Sequence, residues 1–172
     1  MAEPDLLPRS LVRALDESLS DTPVVCLLGP RQCGKSTLTK HHAPDRPYLD
    51  LDEDNLADTA LQDPSGFVRG LPERVTLNEV QRAPEILRAI KVAVDRHRIP
   101  GRFILTGSAN LLLLPRASES LAGRMEILRL HPLTESEKEE NPGHFLQTLL
   151  TTGFVTEIKE GIDDPTDLPT RL

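Results

Sequence analysis

Nine consecutive residues, Gly29, Pro30, Arg31, Gln32, Cys33, Gly34, Lys35, Ser36 and Thr37, hold the most specific chemical pattern in this chain. Glycine, four residues, then glycine, lysine and serine is the spacing of a phosphate-binding loop. The string follows an apolar run, Val24–Leu28, and precedes residues suited to a helix. In that setting backbone amides can ring a phosphate chain while the helix N-terminus adds partial positive charge. Lys35 is expected to reach the terminal phosphates, and the Ser36 hydroxyl to join the shell of a Mg²⁺ ion. A glycine-rich structural turn is the competing reading.

A phosphate-loop protein also needs a carboxylate at the end of a neighbouring strand to hold the metal's water shell, followed by a glutamate that polarises the attacking water. Val75, Thr76 and Leu77 end in Asn78 and Glu79. Glu79 fits the catalytic position. Asn78 offers an oxygen without the charge that makes carboxylate hydrogen bonds roughly twice as strong, so Mg²⁺ is expected to be held less well there. A polar turn, Thr106, Gly107, Ser108, Ala109 and Asn110, follows another apolar run, at the strand edge where open α/β sheets bind ligands. Helix capping by Ser108 is the structural alternative.

The elements that must position these residues follow from periodicity. A helix is expected from Pro8 to about Leu19, with Leu11, Leu15 and Leu19 on one face. Strands are expected at Val24–Leu28, 48–51, 75–77, 103–105 and 127–130. Helices are expected over Lys35–His42, from a cap at Asp52 to Leu61 with a stop at Asp63 and Pro64, and from Pro84 to the Pro100-Gly101 stop. In the last, Ile86, Leu87, Ile90 and Val94 share one face and Arg88, Lys91, Asp95 and Arg98 another. A short apolar helix is expected at 111–114. Strands alternating with helices predict an α/β fold built on a parallel sheet. Beyond Pro132 the pattern weakens into an acidic helix around 134–140 and an apolar one around 145–150, and from Gly161 the chain reads as disordered.

The chain has 172 residues, 38% of them hydrophobic, and carries a net charge of -7. A chain of this length can bury a core without disulfide or metal staples. Cys26 and Cys33 lack matching histidine spacing, so neither a zinc site nor a disulfide framework is expected. No apolar run approaches the ~20 residues of a membrane helix, and a cytoplasmic protein without membrane contact is expected. Nine of the 27 acidic residues lie from 134 onward, which excludes a uniformly basic nucleic-acid surface. Arg82, Arg88, Lys91, Arg96, Arg98 and Arg102 form one local basic stretch, readable as a weakly supported DNA-binding patch or as a solvated helix face.

Five blocks of sequence are similar to those of prokaryotic AAA-like ATP-binding proteins, in which an ATPase module precedes a second domain of unknown function. They are LLGPRQCGKSTL at 27–38, YLDLDEDNLADTALQDPSGF at 48–67, VTLNEVQRAPEIL at 75–87, GRFILTGSANLLLLP at 101–115 and SLAGRMEILRLHPLTESE at 120–137. The resemblance implies a P-loop NTPase, an AAA-like three-layer αβα sandwich with a parallel five-stranded sheet, using ATP and Mg²⁺. It implies that 29–36 is Walker A, that Glu79 is the Walker B glutamate, that Ser108 or Asn110 is the sensor, and that Arg124 is a sensor or a finger in a neighbour's site. A surface ion pair of Arg124 with Glu119 or Glu126 is the alternative.

This sequence departs from the family at Asn78, where aspartate is usual, so weak or absent hydrolysis is expected. It also departs in length, and reads as a truncated relative, an excised fragment or the product of a broken gene. An ATP-binding domain over 1–133, a helical remnant or linker over 134–160 and a disordered tail over 161–172 are expected. Partners left open are a homo-oligomer or another protein. Two other classes fit the bare motifs: a small-molecule P-loop kinase, and a non-catalytic module meeting nucleic acid or protein. No Asn-Lys-x-Asp guanine signature occurs, which favours ATP over GTP.

Overall fold

The computed structural model describes residues 7–108, 121–134 and 137. The helix expected at 111–114, the segments around 145–150 and from Gly161, and residues Asn110 and Glu119 lie outside the described residues, so the expected domain limits are untested. The chain divides into two compact units: Arg9–Pro132, and a second made of 1–8 with 133–172. In the second unit, Glu137 N donates to Thr134 Oγ1 (3.3 Å) and Thr134 N to Glu137 Oε2 (3.0 Å). The two residues thus exchange the reciprocal bonds of a capping box; the rest of the acidic helix expected around 134–140 lies outside the described residues.

The larger unit runs α1 (Val12–Asp21), β1 (Val24–Leu28), α2 (Lys35–His42), β2 (Tyr48–Asp50), α3 (Asp54–Gln62), α4 (Pro64–Gly70), β3 (Val75–Asn78), a 3-10 turn (Val80–Arg82), α5 (Ile86–Arg96), β4 (Phe103–Gly107) and β5 (Met125–Arg129). The five strands form one sheet in the order β2-β3-β4-β1-β5, and every neighbouring pair is parallel. The fold is α/β, as the alternation of elements predicts. β1, β3 and β4 are buried along their whole length, and the unbroken apolar runs at Val24–Leu28 and 103–105 reflect burial on both faces.

Successive side chains of a strand point to opposite faces, and the core divides accordingly. Val24, Cys26, Leu28, Val75, Leu77, Phe103 and Leu105 pack with the buried faces of α3, α4 and α5. Val25 and Leu27 pack on the other side with Leu15 of α1 and Leu38 of α2. Burial pushes the Cys26 thiol up to about 12. Thr76, Asn78 and Thr106, which face away from Val75, Leu77, Phe103 and Leu105, are also buried, and Asn78 and Thr106 meet side by side at the carboxyl ends of β3 and β4.

Several boundaries differ from the expectation. Helix α1 begins at Val12 rather than Pro8, because the Arg9 guanidinium is drawn to the carbonyls of Cys33 and His131. Helix α3 is preceded by Glu53, not capped by Asp52. Asp63 and Pro64, expected only to stop α3, start α4: the Asp63 carboxylate accepts from Gly66 N (2.8 Å), and Pro64 fills the first turn. On α5, Ile86, Leu87, Ile90 and Val94 are buried as expected, but the helix ends before Arg98. Among the described residues no helix is long and apolar enough to cross a membrane.

Candidate nucleotide-binding site

The carboxyl ends of β1, β3 and β4 bring the predicted residues together. Gly29 leaves β1 pressed against β5: a Cβ there would stand 2.3 Å from the Leu130 carbonyl oxygen and 2.8 Å from Cys33 Sγ. Gly34 opens α2 at φ 95°, a conformation that favours glycine. Lys35 is 5% exposed, and its ammonium donates to the carbonyls of Gly29 and Pro30, both at 2.9 Å. It is therefore folded back as a brace across the loop, which leaves one of its three N–H groups. The first-turn amides of α2 have no intrahelical partners and open on the same side.

A cleft of about 440 Å³ is lined by Arg31, Gln32, Gly34, Lys35, Ser36, Thr37 and Glu79. Among the described residues two non-glycine residues have positive φ, Gln32 (63°) and Glu79 (54°), and both line this cleft. Left-handed backbone costs a non-glycine residue about 1 kcal/mol or more and persists where the surroundings over-determine it, commonly at functional sites. Glu79 is held by Gln81, whose Nε2 donates to its Oε2.

Behind the cleft lies Asn78, 4% exposed. Its Oδ1 accepts from Ser36 Oγ (3.4 Å) and from the Thr106 hydroxyl, while its Nδ2 donates to Asp50 Oδ1 (2.8 Å). The partners fix the amide's orientation, because a carboxylate only accepts. Asp50 also accepts from Asp52 N (3.1 Å). Tyr48, two residues earlier on β2, has a buried Oη that meets no partner at hydrogen-bonding geometry among the described residues. Burial raises the Tyr48 phenol above its ordinary value, the carboxylates of Asp50, Glu79 and Asp52 add to the shift, and the nearby Ser36 hydroxyl opposes it.

Other predicted residues are placed elsewhere. The Cys33 side chain is buried among Leu15, Leu27, Leu38 and Leu130, so only its backbone belongs to the loop. Ser108 follows β4 at the same sheet edge, half-buried. Arg124 lies just before β5, at the amino edge of the sheet, where its carbonyl accepts from Val24 N. The length of β1, roughly 16 Å for five residues, separates it from the loop. Its ion-pair partner among the described residues is Asp95, not the expected Glu126, while Glu119 lies outside them. Three of the six residues of the basic stretch are paired: Arg82 meets Asp52 and Asp54, Arg102 donates to the carbonyls of Ala93 and His97, and Arg98 to that of Gly123.

Sequence reasoning missed Asp50, Tyr48 and Gln81. Asp50 and Tyr48 end up beside Ser36 only through the β2–β3 register, Asp50 opposite Asn78. The oxygen set around Ser36 suits a hard cation such as Mg²⁺, which keeps several waters and takes few protein ligands. Ser36 gives its proton to Asn78 and keeps its oxygen lone pairs for such an ion. Consistent with so sparse a set, no group of three His, Cys, Asp or Glu among the described residues could hold a metal alone.

The likeness to known proteins agrees with this geometry. Proteins of Mycobacterium bovis (Mb2031c) and Mycobacterium tuberculosis (Rv2008c), both named only as uncharacterized, are each 42% identical over 127 residues, covering 73% of this chain and 29% of theirs. The chain thus spans under a third of the length of these relatives. Among solved structures, the Walker-type ATPase PABY2304 of Pyrococcus abyssi superposes with a TM-score of 0.51 at 21% identity, over 77% of this chain and 56% of that one, a likeness of fold. The AAA domain model AAA_14 matches residues 21–138. With its parallel sheet and the loop between β1 and α2, the chain belongs to the AAA domain family as an AAA-like ATPase module.

Proposed function

We propose that residues 29–37 are a Walker A loop that binds ATP with Mg²⁺, and that hydrolysis is weak. The observation that carries this reading is the single cleft shared by Lys35, Ser36, the α2 N-terminus and the left-handed Glu79. Arg31, Gln32, Gly34 and Thr37 offer backbone amides to the phosphate oxygens. Lys35 exchanges loop carbonyls for phosphate, and Gly29 and Pro30 let the loop turn. Ser36 and Asn78 hold the metal side, where Mg²⁺ neutralises phosphate charge. Glu79 orients the attacking water and takes up its proton.

Hydrolysis is weak in this account because a neutral amide stands where a carboxylate would fix the metal's waters. Ser108 or Asn110 serves as the γ-phosphate sensor. Arg124, at the opposite sheet edge, is outside this intrachain site, and any finger role is exercised toward a second molecule. The free thiols of Cys26 and Cys33 fit a cytoplasmic setting.

Calorimetric titration with ATP, with and without Mg²⁺, followed by a phosphate-release assay on the same preparation, tests this reading. Saturable binding with slow release is expected. An absence of binding under both conditions would overturn it.

A further inference from the structure

We propose that Asp50, at the end of β2, supplies the negative charge that Asn78 lacks, and that it acts on the metal side of the site by polarising the buried Asn78 amide. Asp50 is therefore a positioning residue. The inference rests on the reading of 29–37 as an ATP and Mg²⁺ site and deepens it.

The geometry is a short relay. Asp50 and Asn78 are directly paired across the parallel β2–β3 ladder. Asn78 Nδ2 donates to Asp50 Oδ1 at 2.8 Å, and the far end of the same amide, Oδ1, accepts from the Ser36 hydroxyl. Drawing the N–H toward a full negative charge pushes electron density onto the amide oxygen, because hydrogen bonds in a chain polarise one another in low dielectric. The oxygen facing Ser36 becomes a better acceptor, and the Ser36 oxygen a better cation ligand. Burial of Asn78 and Thr106 excludes the water that would otherwise screen this coupling.

The arrangement also explains why the amide is at 78. With a carboxylate at both positions, two negative charges would stand at hydrogen-bonding distance in a half-buried setting, and the N–H that joins them would be gone. One aspartate and one asparagine make a satisfied pair, and the charge has moved one strand outward.

The test is ATP affinity with and without Mg²⁺, measured by calorimetry on the full chain for the parent, Asp50→Asn, Asn78→Asp, the exchange Asp50→Asn/Asn78→Asp, and the control Asp52→Asn. In the parent, Mg²⁺ should tighten ATP about tenfold. Asp50→Asn should lose most of that gain while retaining metal-free ATP affinity within about twofold. The exchange should restore the gain, whereas Asn78→Asp alone should not raise it and Asp52→Asn should leave it unchanged.

A purely structural role for Asp50 would lower both affinities together and would not be rescued by the exchange. A parent that fails to bind ATP at all defeats the underlying reading. A parent that binds ATP with no Mg²⁺ gain, or an Asp50→Asn variant that keeps the gain, overturns the inference alone. Should Asp50→Asn not fold, the exchange decides: without a Mg²⁺ gain in that variant, the proposal fails.

Discussion

The two edges of the sheet use polar side chains in opposite ways. At the amino edge, arginines are tied to backbone carbonyls: Arg46 to that of Gly101 (2.9 Å), Arg102 to those of Ala93 and His97, and Arg124 to that of Ala122 as well as to Asp95. These contacts tie strand starts to helix ends and add donors to their carbonyls. At the carboxyl edge, Lys35 also binds carbonyls, but across a loop whose amides stay open, beside two left-handed residues and a buried amide linked to a carboxylate. Cations tied to carbonyls thus accompany a scaffold, whereas left-handed backbone and open loop amides accompany a site.

Breaking the contrast at its strongest point gives the largest effect. Lys35→Ala should weaken ATP binding by about 100-fold or more in calorimetry, because charge-assisted contacts to phosphate are the strong ones. Because the lysine also braces the loop, the unfolding temperature should fall slightly. At the other edge, Arg46→Ala should leave ATP affinity unchanged yet cost about 1 to 3 kcal/mol in denaturant unfolding, the penalty for unpaired buried acceptors.

Glu79→Gly sharpens the comparison, because it tests whether strain is held for function. Glycine accepts φ 54° freely, so relief of about 1 kcal/mol or more of strain should offset the roughly 0.4 to 1 kcal/mol that glycine costs through the unfolded chain, and thermal unfolding should show equal or slightly higher stability while phosphate release disappears. A loss of stability would mean that the turn is not strained. Arg124→Ala should give the smallest change, under about 1 kcal/mol from a partly exposed ion pair, with unaltered ATP affinity; weaker binding would move Arg124 into the site.

Much of this division was legible in the sequence. Strand β1 and the first three residues of β4 are apolar runs, and the inward face of α5 follows from its spacing. The loop at 29–37 is legible because its chemistry is contiguous. β5 was harder: as an edge strand with Glu126, Ile127 and Arg129 exposed, it begins at Met125, before the apolar run that marks it. Helix α4 was hidden because Asp63-Pro64 was read as a stop, although the same pair is a cap followed by proline at a first turn. The Asp50–Asn78 pairing is a contact between strands 28 residues apart, and local periodicity carries no register. Cys33 illustrates the remaining gap, since a loop motif specifies the backbone path but not that this side chain packs inward.

Amide hydrogen exchange with and without saturating ATP and Mg²⁺ tests the central claim most directly. The account predicts slowed exchange over 29–37, with a smaller effect at 78–81, and no change around Arg102 and Arg124. Unaltered exchange over 29–37 on ATP saturation, or protection at the amino edge instead, would contradict it.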